Sequence, residues 1–310
     1  MGINSPLEIL ALFLIGIFAH GFFAVFNELM DVEEDKRLGN LFAHPLASGE
    51  FERKKARSMV MAFPILAIVL AFLIFEGIAP ILFLSISLAL FTAYNVLNKT
   101  LPGTEFVLAS AFTSLALFGC AAGGFSNSII AIAFSFATGI HALNILTIYL
   151  GLWHAQFWRE DVKMTLAHFL GARKRGERLI PTVWFLAYGS ILQTLFFGAI
   201  LLPFILGEMT YNRGQIVTLF LVILGAIFVT YRVMAAQIYN PRKIARSSAS
   251  HYILVGAALP LMLASINVWV MLIALFPLLE VYLVTRSTGG SIISPPMGTM
   301  PARKENPEEN

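Results

Sequence analysis

The feature that most constrains this chain is a series of apolar stretches long enough to cross a bilayer. A hydrocarbon core of ~30 Å needs about 20 consecutive apolar residues as helix. Eight or nine such stretches are present, at roughly 7–30, 58–76, 79–98, 104–123, 127–153, 181–207, 214–237 and 251–286. The last block holds about 36 residues, too many for one span. It divides near Ser265-Ile266-Asn267 into two helices of uneven length. Backbone polar groups in lipid must be satisfied internally, so only helices or closed barrel strands qualify. Continuous apolar runs without strict alternation favour helices. The expected fold class is therefore all-α, a multi-spanning transmembrane helical bundle over residues 1–286. Residues 287–310, rich in Gly, Ser, Pro and Glu, read as a flexible cytoplasmic tail. Composition agrees: 58% of residues are hydrophobic and only 13% charged, too few charges to cover a soluble fold of this size. A soluble globule, a disordered chain and a fibrous repeat are excluded.

Charge then sets the orientation. Loop 31–57 carries Lys36, Arg37, Arg53, Lys54, Lys55 and Arg57, and Lys99 follows the third span. Loop 154–180 carries Arg159, Lys163, Arg173, Lys174, Arg175 and Arg178, and further basic residues lie at 232–246 and in the tail. Only Arg213 falls on the other face, so 20 of the 21 Lys and Arg residues share one side. By the positive-inside rule that side is cytoplasmic, and the protein is expected to be a multi-pass protein of the cell membrane. The first helix lacks the basic n-region of a cleaved signal peptide. The single cysteine, Cys120, lies in an apolar run and reads as helix packing, with no disulfide framework available within one chain.

The first span ends in Asn27-Glu28-Leu29-Met30-Asp31-Val32-Glu33-Glu34-Asp35. Asn27, Asp31 and Asp35 recur at i, i+4 and i+8, which places them along one helix face. Like charges at that spacing repel. A hard divalent cation held by carboxylate and amide oxygens would offset the repulsion; a solvated helix end balanced by Lys36 and Arg37 is the plainer alternative. His20 lies on the same face, seven residues earlier and about 10 Å deeper. It either extends a polar stripe into a cavity or bonds a neighbouring helix. Next come His44-Pro45-Leu46-Ala47-Ser48-Gly49, a tight turn whose free N–H groups suit an anion. His141 and Asn144, at i, i+3 in the fifth span, either line a cavity or bind neighbouring helices. Glu280, near Pro277, is ambiguous in the same way.

The string Asn27-Glu28-x-x-Asp31-x-x-x-Asp35, followed by His44-Pro45-Leu46-Ala47-Ser48-Gly49, resembles the first aspartate-rich motif of the UbiA superfamily of intramembrane prenyltransferases. There it is usually Asn-Asp-x-x-Asp-x-x-x-Asp and then Arg-Pro-Leu-x-Ser-Gly; here Glu28 and His44 stand in for Asp and Arg. Tyr94-Asn95-x-x-Asn98-Lys99 is similar to the family's Tyr-x-x-x-x-Lys segment. Thr165-Leu166-Ala167-His168-Phe169-Leu170-Gly171 resembles the run that follows the second aspartate motif. The acids of that second motif depart from the pattern: His154 and Trp158 occupy the usual Asp positions, and Glu160 and Asp161 come late. In the family the first motif ends the second helix, whereas here it ends the first.

The resemblance implies a bundle whose cytoplasmic loops carry the active site. It implies Mg²⁺-dependent transfer of a polyprenyl group from polyprenyl diphosphate to a small-molecule acceptor, aromatic or other, inside the lipid bilayer, with no nucleic-acid partner. Asn27, Glu28, Asp31 and Asp35 would bind one Mg²⁺, and Glu160 and Asp161 a second. Asp31, Asp35, Lys99 and Tyr94 would act in catalysis. Asn27, His44, Ser48, Arg159, His154 and His20 would contact substrate. Two rival readings are a divalent-cation-dependent transporter, with the acids as an ion vestibule, and a non-catalytic relative that binds lipid diphosphates.

Overall fold

The computed structural model describes residues 5–38, 45–98, 101–125, 128–153, 155 and 165–263. The chain folds as α1 (Pro6–Leu38), the short turn α2 (Pro45–Ser48), α3 (Arg53–Ile74), α4 (Ile78–Leu97), α5 (Glu105–Ala122) and α6 (Ile129–Asn144). A π-helical turn (Ile145–Leu150) and α7 (Gly151–Trp153) prolong α6. Then come the short α8 (Leu166–Phe169), a hairpin of β1 (Arg173–Arg175) and β2 (Arg178–Ile180), α9 (Val183–Ile205), α10 (Arg213–Met234) and α11 (Pro241–Leu263). Among the described residues, seven helices are long and apolar enough to cross a membrane: α1, α3, α4, α5, α6 with its prolongation, α9 and α10. The all-α membrane bundle expected from the apolar runs is thus the fold. α11 begins ten residues before the apolar block at 251, because Arg242, Lys243, Arg246 and three serines build its first turns. The basic hairpin had no forerunner among the apolar runs.

The helices sort into two halves, each with its own core. Ile15, Ala19 and Phe22 of α1, Ala67 and Ala71 of α3, Leu84 and Phe91 of α4, and Leu108 and Phe118 of α5 make the first. Ala137 and Ile140 of α6, Phe196 and Ile200 of α9, Ala226 of α10 and Val255 of α11 anchor the second. The halves meet where α5 packs on α6. Small residues permit that approach, as expected between membrane helices, where dispersion and close backbone contact replace the hydrophobic effect. Gly139 of α6 faces Ala109 and Thr113 of α5 so closely that a Cβ would overlap the Thr113 hydroxyl and stand 3.0 Å from the Ala109 carbonyl. Each half also lends a side chain to the other's core, Ala109 to the second and Leu146 to the first.

A third core closes the basic end of the second half. Tyr149, Leu152, Ala167, Leu179, Phe185, Met234 and Ile244 gather there. The hairpin is held from three directions. Leu179 N–H donates to the Gln237 carbonyl (2.9 Å), Tyr239 N–H to the Glu177 carbonyl (2.7 Å), and the Tyr239 hydroxyl to the Trp153 carbonyl (2.8 Å). Lys174 lies over the Tyr239 ring at 4.5 Å, within cation–π range.

Candidate active site

The acidic stripe of α1 runs along α4. The Asn27 amide donates to Asn95 Oδ1 at 3.1 Å, and Asn95 Nδ2 lies 3.4 Å from the Phe23 carbonyl. Asn95 is fully buried, so this pair satisfies a polar group that α4 would otherwise present to apolar packing. One turn on, Asp31 is half-buried and acts electrostatically on the Tyr94 hydroxyl, as do the Asn98 amide and the Glu105 carboxylate. A further turn on, Asp35 is only 8% exposed. The three motif residues Asn27, Asp31 and Asp35 therefore face inward at the junction of α1, α4 and the start of α5. The opposite face of α1, with Val25, Leu29 and Val32, packs on Leu46 of α2 and Ala56 of α3.

Glu28 has a different task from its neighbours. Its Oε1 accepts the Leu46 N–H at 2.7 Å, fastening α2 to α1. Ser48 is exposed; its hydroxyl donates to the Pro45 carbonyl at 3.2 Å and accepts from Glu50 N–H at 3.4 Å, so it braces its own turn. His20 is exposed on α1, its ring 6.4 Å from that of Phe23. Glu33 pairs with Arg53 on the outer side of the stripe. Of the remaining residues singled out from the sequence, His44, Lys99, His154, Trp158, Arg159, Glu160, Asp161 and Glu280 lie outside the described residues.

His141 and Asn144 do not join this junction. They belong to a polar layer in the core of the second half, to which α6, α9, α10 and α11 each contribute. Gln193 Nε2 donates to Asn144 Oδ1 (3.2 Å) and Thr230 Oγ1 (3.1 Å) and lies 3.3 Å from His251 Nε2. The His141 and His251 rings stack with centroids 5.8 Å apart. This is the helix-binding alternative for Asn144, realised by interhelical hydrogen bonds.

One participant escaped the sequence reading. Glu105, in the first turn of α5, accepts the Leu166 N–H at 2.9 Å and also acts on the hydroxyls of Tyr94 and Tyr188. It thereby brings the turn Thr165–Gly171 to the acidic junction. The only signal in the sequence is a lone acid at the basic end of a span, close after Lys99. In the same turn, burial and the nearby Arg173 hold the His168 imidazole below its usual pKa. The turn's geometry requires glycine at its end: Gly171 has φ +93°, and a Cβ there would stand 2.9 Å from Thr182. Thr182 in turn donates to the Leu170 carbonyl at 2.6 Å and caps α9 through Phe185 N–H.

Hard oxygen donors on one helix face are the set that Mg²⁺ takes. Among the described residues no three His, Cys, Asp or Glu side chains converge as a ready-made cage. Mg²⁺ does not need one, since it is commonly held by one or two carboxylates together with substrate phosphates and water. Asp31 and Asp35, a turn apart with the Asn27 amide above them, fit that mode.

Seven or more apolar helices in two halves, with an inward-facing acidic stripe at the basic end, define a membrane-embedded helical protein with a polar junction beneath its loops. The chain belongs to the UbiA prenyltransferase family, whose sequence model matches residues 1–254. Two solved structures share the fold, each with a TM-score of 0.63. One is from work on digeranylgeranylglyceryl phosphate synthase in membranes, 18% identical, with 85% of this chain and 87% of that chain covered. The other is the apo structure of a UbiA homolog from Aeropyrum pernix K1, 16% identical, with 86% of this chain and 91% of that chain covered. No curated protein matches the chain.

Proposed function

We propose that this family member is a Mg²⁺-dependent enzyme that transfers a polyprenyl group from a polyprenyl diphosphate to a small acceptor within the membrane, working at its basic, cytoplasmic side. The observation that carries the reading is the inward-facing stripe of Asn27, Asp31 and Asp35 beside Tyr94. In such a transfer the allylic C–O bond breaks while charge builds on the departing diphosphate. Bound to Asn27, Asp31 and Asp35, the metal would supply neutralisation of that charge; Glu28 offers its second oxygen, and Glu160 and Asp161 would serve a second ion. Tyr94 presents a hydroxyl donor toward the leaving group, and Lys99 a positive charge. His44, Ser48, His154, Arg159 and His20 complete the substrate contacts in this proposal. The apolar walls of the bundle keep water from the allylic cation as it forms.

The test is transfer of label from a radiolabelled prenyl diphosphate by the reconstituted protein, with a membrane extract supplying acceptors. Asp31→Asn or Asp35→Asn is expected to lower transfer by about 10²-fold or more; transfer at the parent rate by both variants overturns the proposal. The departure at His154 and Trp158 favours one second reading, a relative that binds lipid diphosphates without turnover. Saturable diphosphate binding without product across acceptors would select it.

A further inference from the structure

Two carboxylates at this junction do the same job in different places. Glu28 of α1 accepts the N–H of Leu46, and Glu105 of α5 accepts the N–H of Leu166, at 2.7 and 2.9 Å. In both cases the amide opens a four-residue helical turn, and the next two side chains inward are buried: Leu46 and Ala47, Leu166 and Ala167. Neither amide has a carbonyl to take within its own turn. In α2 the preceding residue is Pro45, which has no N–H, and in α8 the Thr165 hydroxyl serves the amide of His168 rather than that of Leu166. Ionised carboxylates make the shortest and strongest partners for such amides.

We infer that Glu28 and Glu105 are positioning residues, matched clamps that seat the two short turns over the acidic junction. The two clamps differ in reach. Glu28 fastens a turn to the helix that precedes it. Glu105 stands in the first half of the molecule and fastens a turn of the second half, so it couples the halves at the basic end, where α5 and α6 already meet. Glu28 thus departs from its motif neighbours in role, and Glu105 enters the junction although no acidic motif contains it. The inference deepens the prenyl-transfer reading and rests on it only for the activity readout.

The experiment exploits a chemical difference between a clamp and a metal ligand. Glutamine keeps a carbonyl acceptor for an N–H but loses the charge; alanine loses both. Glu105→Gln, Glu105→Ala, Glu28→Gln and Glu28→Ala are made in the full chain, and two things are measured. The first is backbone hydrogen exchange of peptides covering 45–49 and 165–171. The second is label transfer with KM and kcat separated. For Glu105, alanine is expected to speed exchange at 165–171 and leave 45–49 unchanged. It is expected to lower kcat/KM by about 10–100-fold, as for a displaced site element, while glutamine restores both readouts to within about threefold of the parent. Glu28→Ala should loosen 45–49 alone, with rescue by Glu28→Gln. Exchange at the parent rate in the alanine variants overturns the clamp, as does glutamine behaving like alanine in both readouts. If the parent transfers no label, the prenyl-transfer reading fails, while the exchange data still decide the clamps.

Discussion

At the scale of single residues, the acidic junction depends on side chains that carry no charge. Asn95 is fully buried in α4 and holds Asn27 across the helix interface. Replacing it with leucine fits the apolar packing but strands the Asn27 amide. Asn95→Leu is therefore expected to cost about 1–3 kcal/mol, the penalty of an unmade buried hydrogen bond, and to lower the detergent-solubilised melting temperature. An unchanged melting temperature would show the pair to be dispensable. The motif residues could be picked out of the sequence because their i, i+4, i+8 spacing is itself a statement about a helix face. Asn95 appeared there only as a neighbour of Tyr94, and Glu105 as a lone acid. Nothing in a linear sequence announces that a carboxylate on α5 will meet an amide 61 positions later.

Among the structural elements, the long helices were legible and the short ones were not. Spans such as α4 and α5 end within a residue or two of their apolar runs, because in lipid the run and the helix are fixed by the same requirement. The first turns of α11 are basic and serine-rich, and β1 and β2 are a run of cations around a Gly-Glu turn. Their structure comes from partners elsewhere, the 237–239 segment and Trp153, not from a local pattern. The turn ending at Gly171 is the exception, since its φ of +93° demands glycine. Gly171→Ala must meet both the left-handed backbone penalty and the Thr182 contact at 2.9 Å. It is expected to cost about 2–4 kcal/mol, seen as a lowered melting temperature and faster exchange over 165–171. A variant as stable as the parent would mean that the turn can repack.

For the whole molecule, the decisive contact is the seam between halves. Because α5 and α6 touch through Gly139, Ala109 and Thr113, Gly139→Ala is expected to push the two helices apart and cost about 1–3 kcal/mol. Its effect on label transfer should exceed its effect on stability, since the acids stand on the first half and the turn held by Glu105 on the second. Stability and transfer falling in proportion would argue against that coupling. Just beyond the seam lies the π-helical turn at Ile145–Leu150, wider than an α-turn by one residue. Deleting a single residue there would relax it to ordinary α geometry and rotate whatever follows by about 100° relative to α6. The turn thus works as a vernier: one inserted residue is stored in a local swelling of the helix, and the chain beyond it keeps its original bearing.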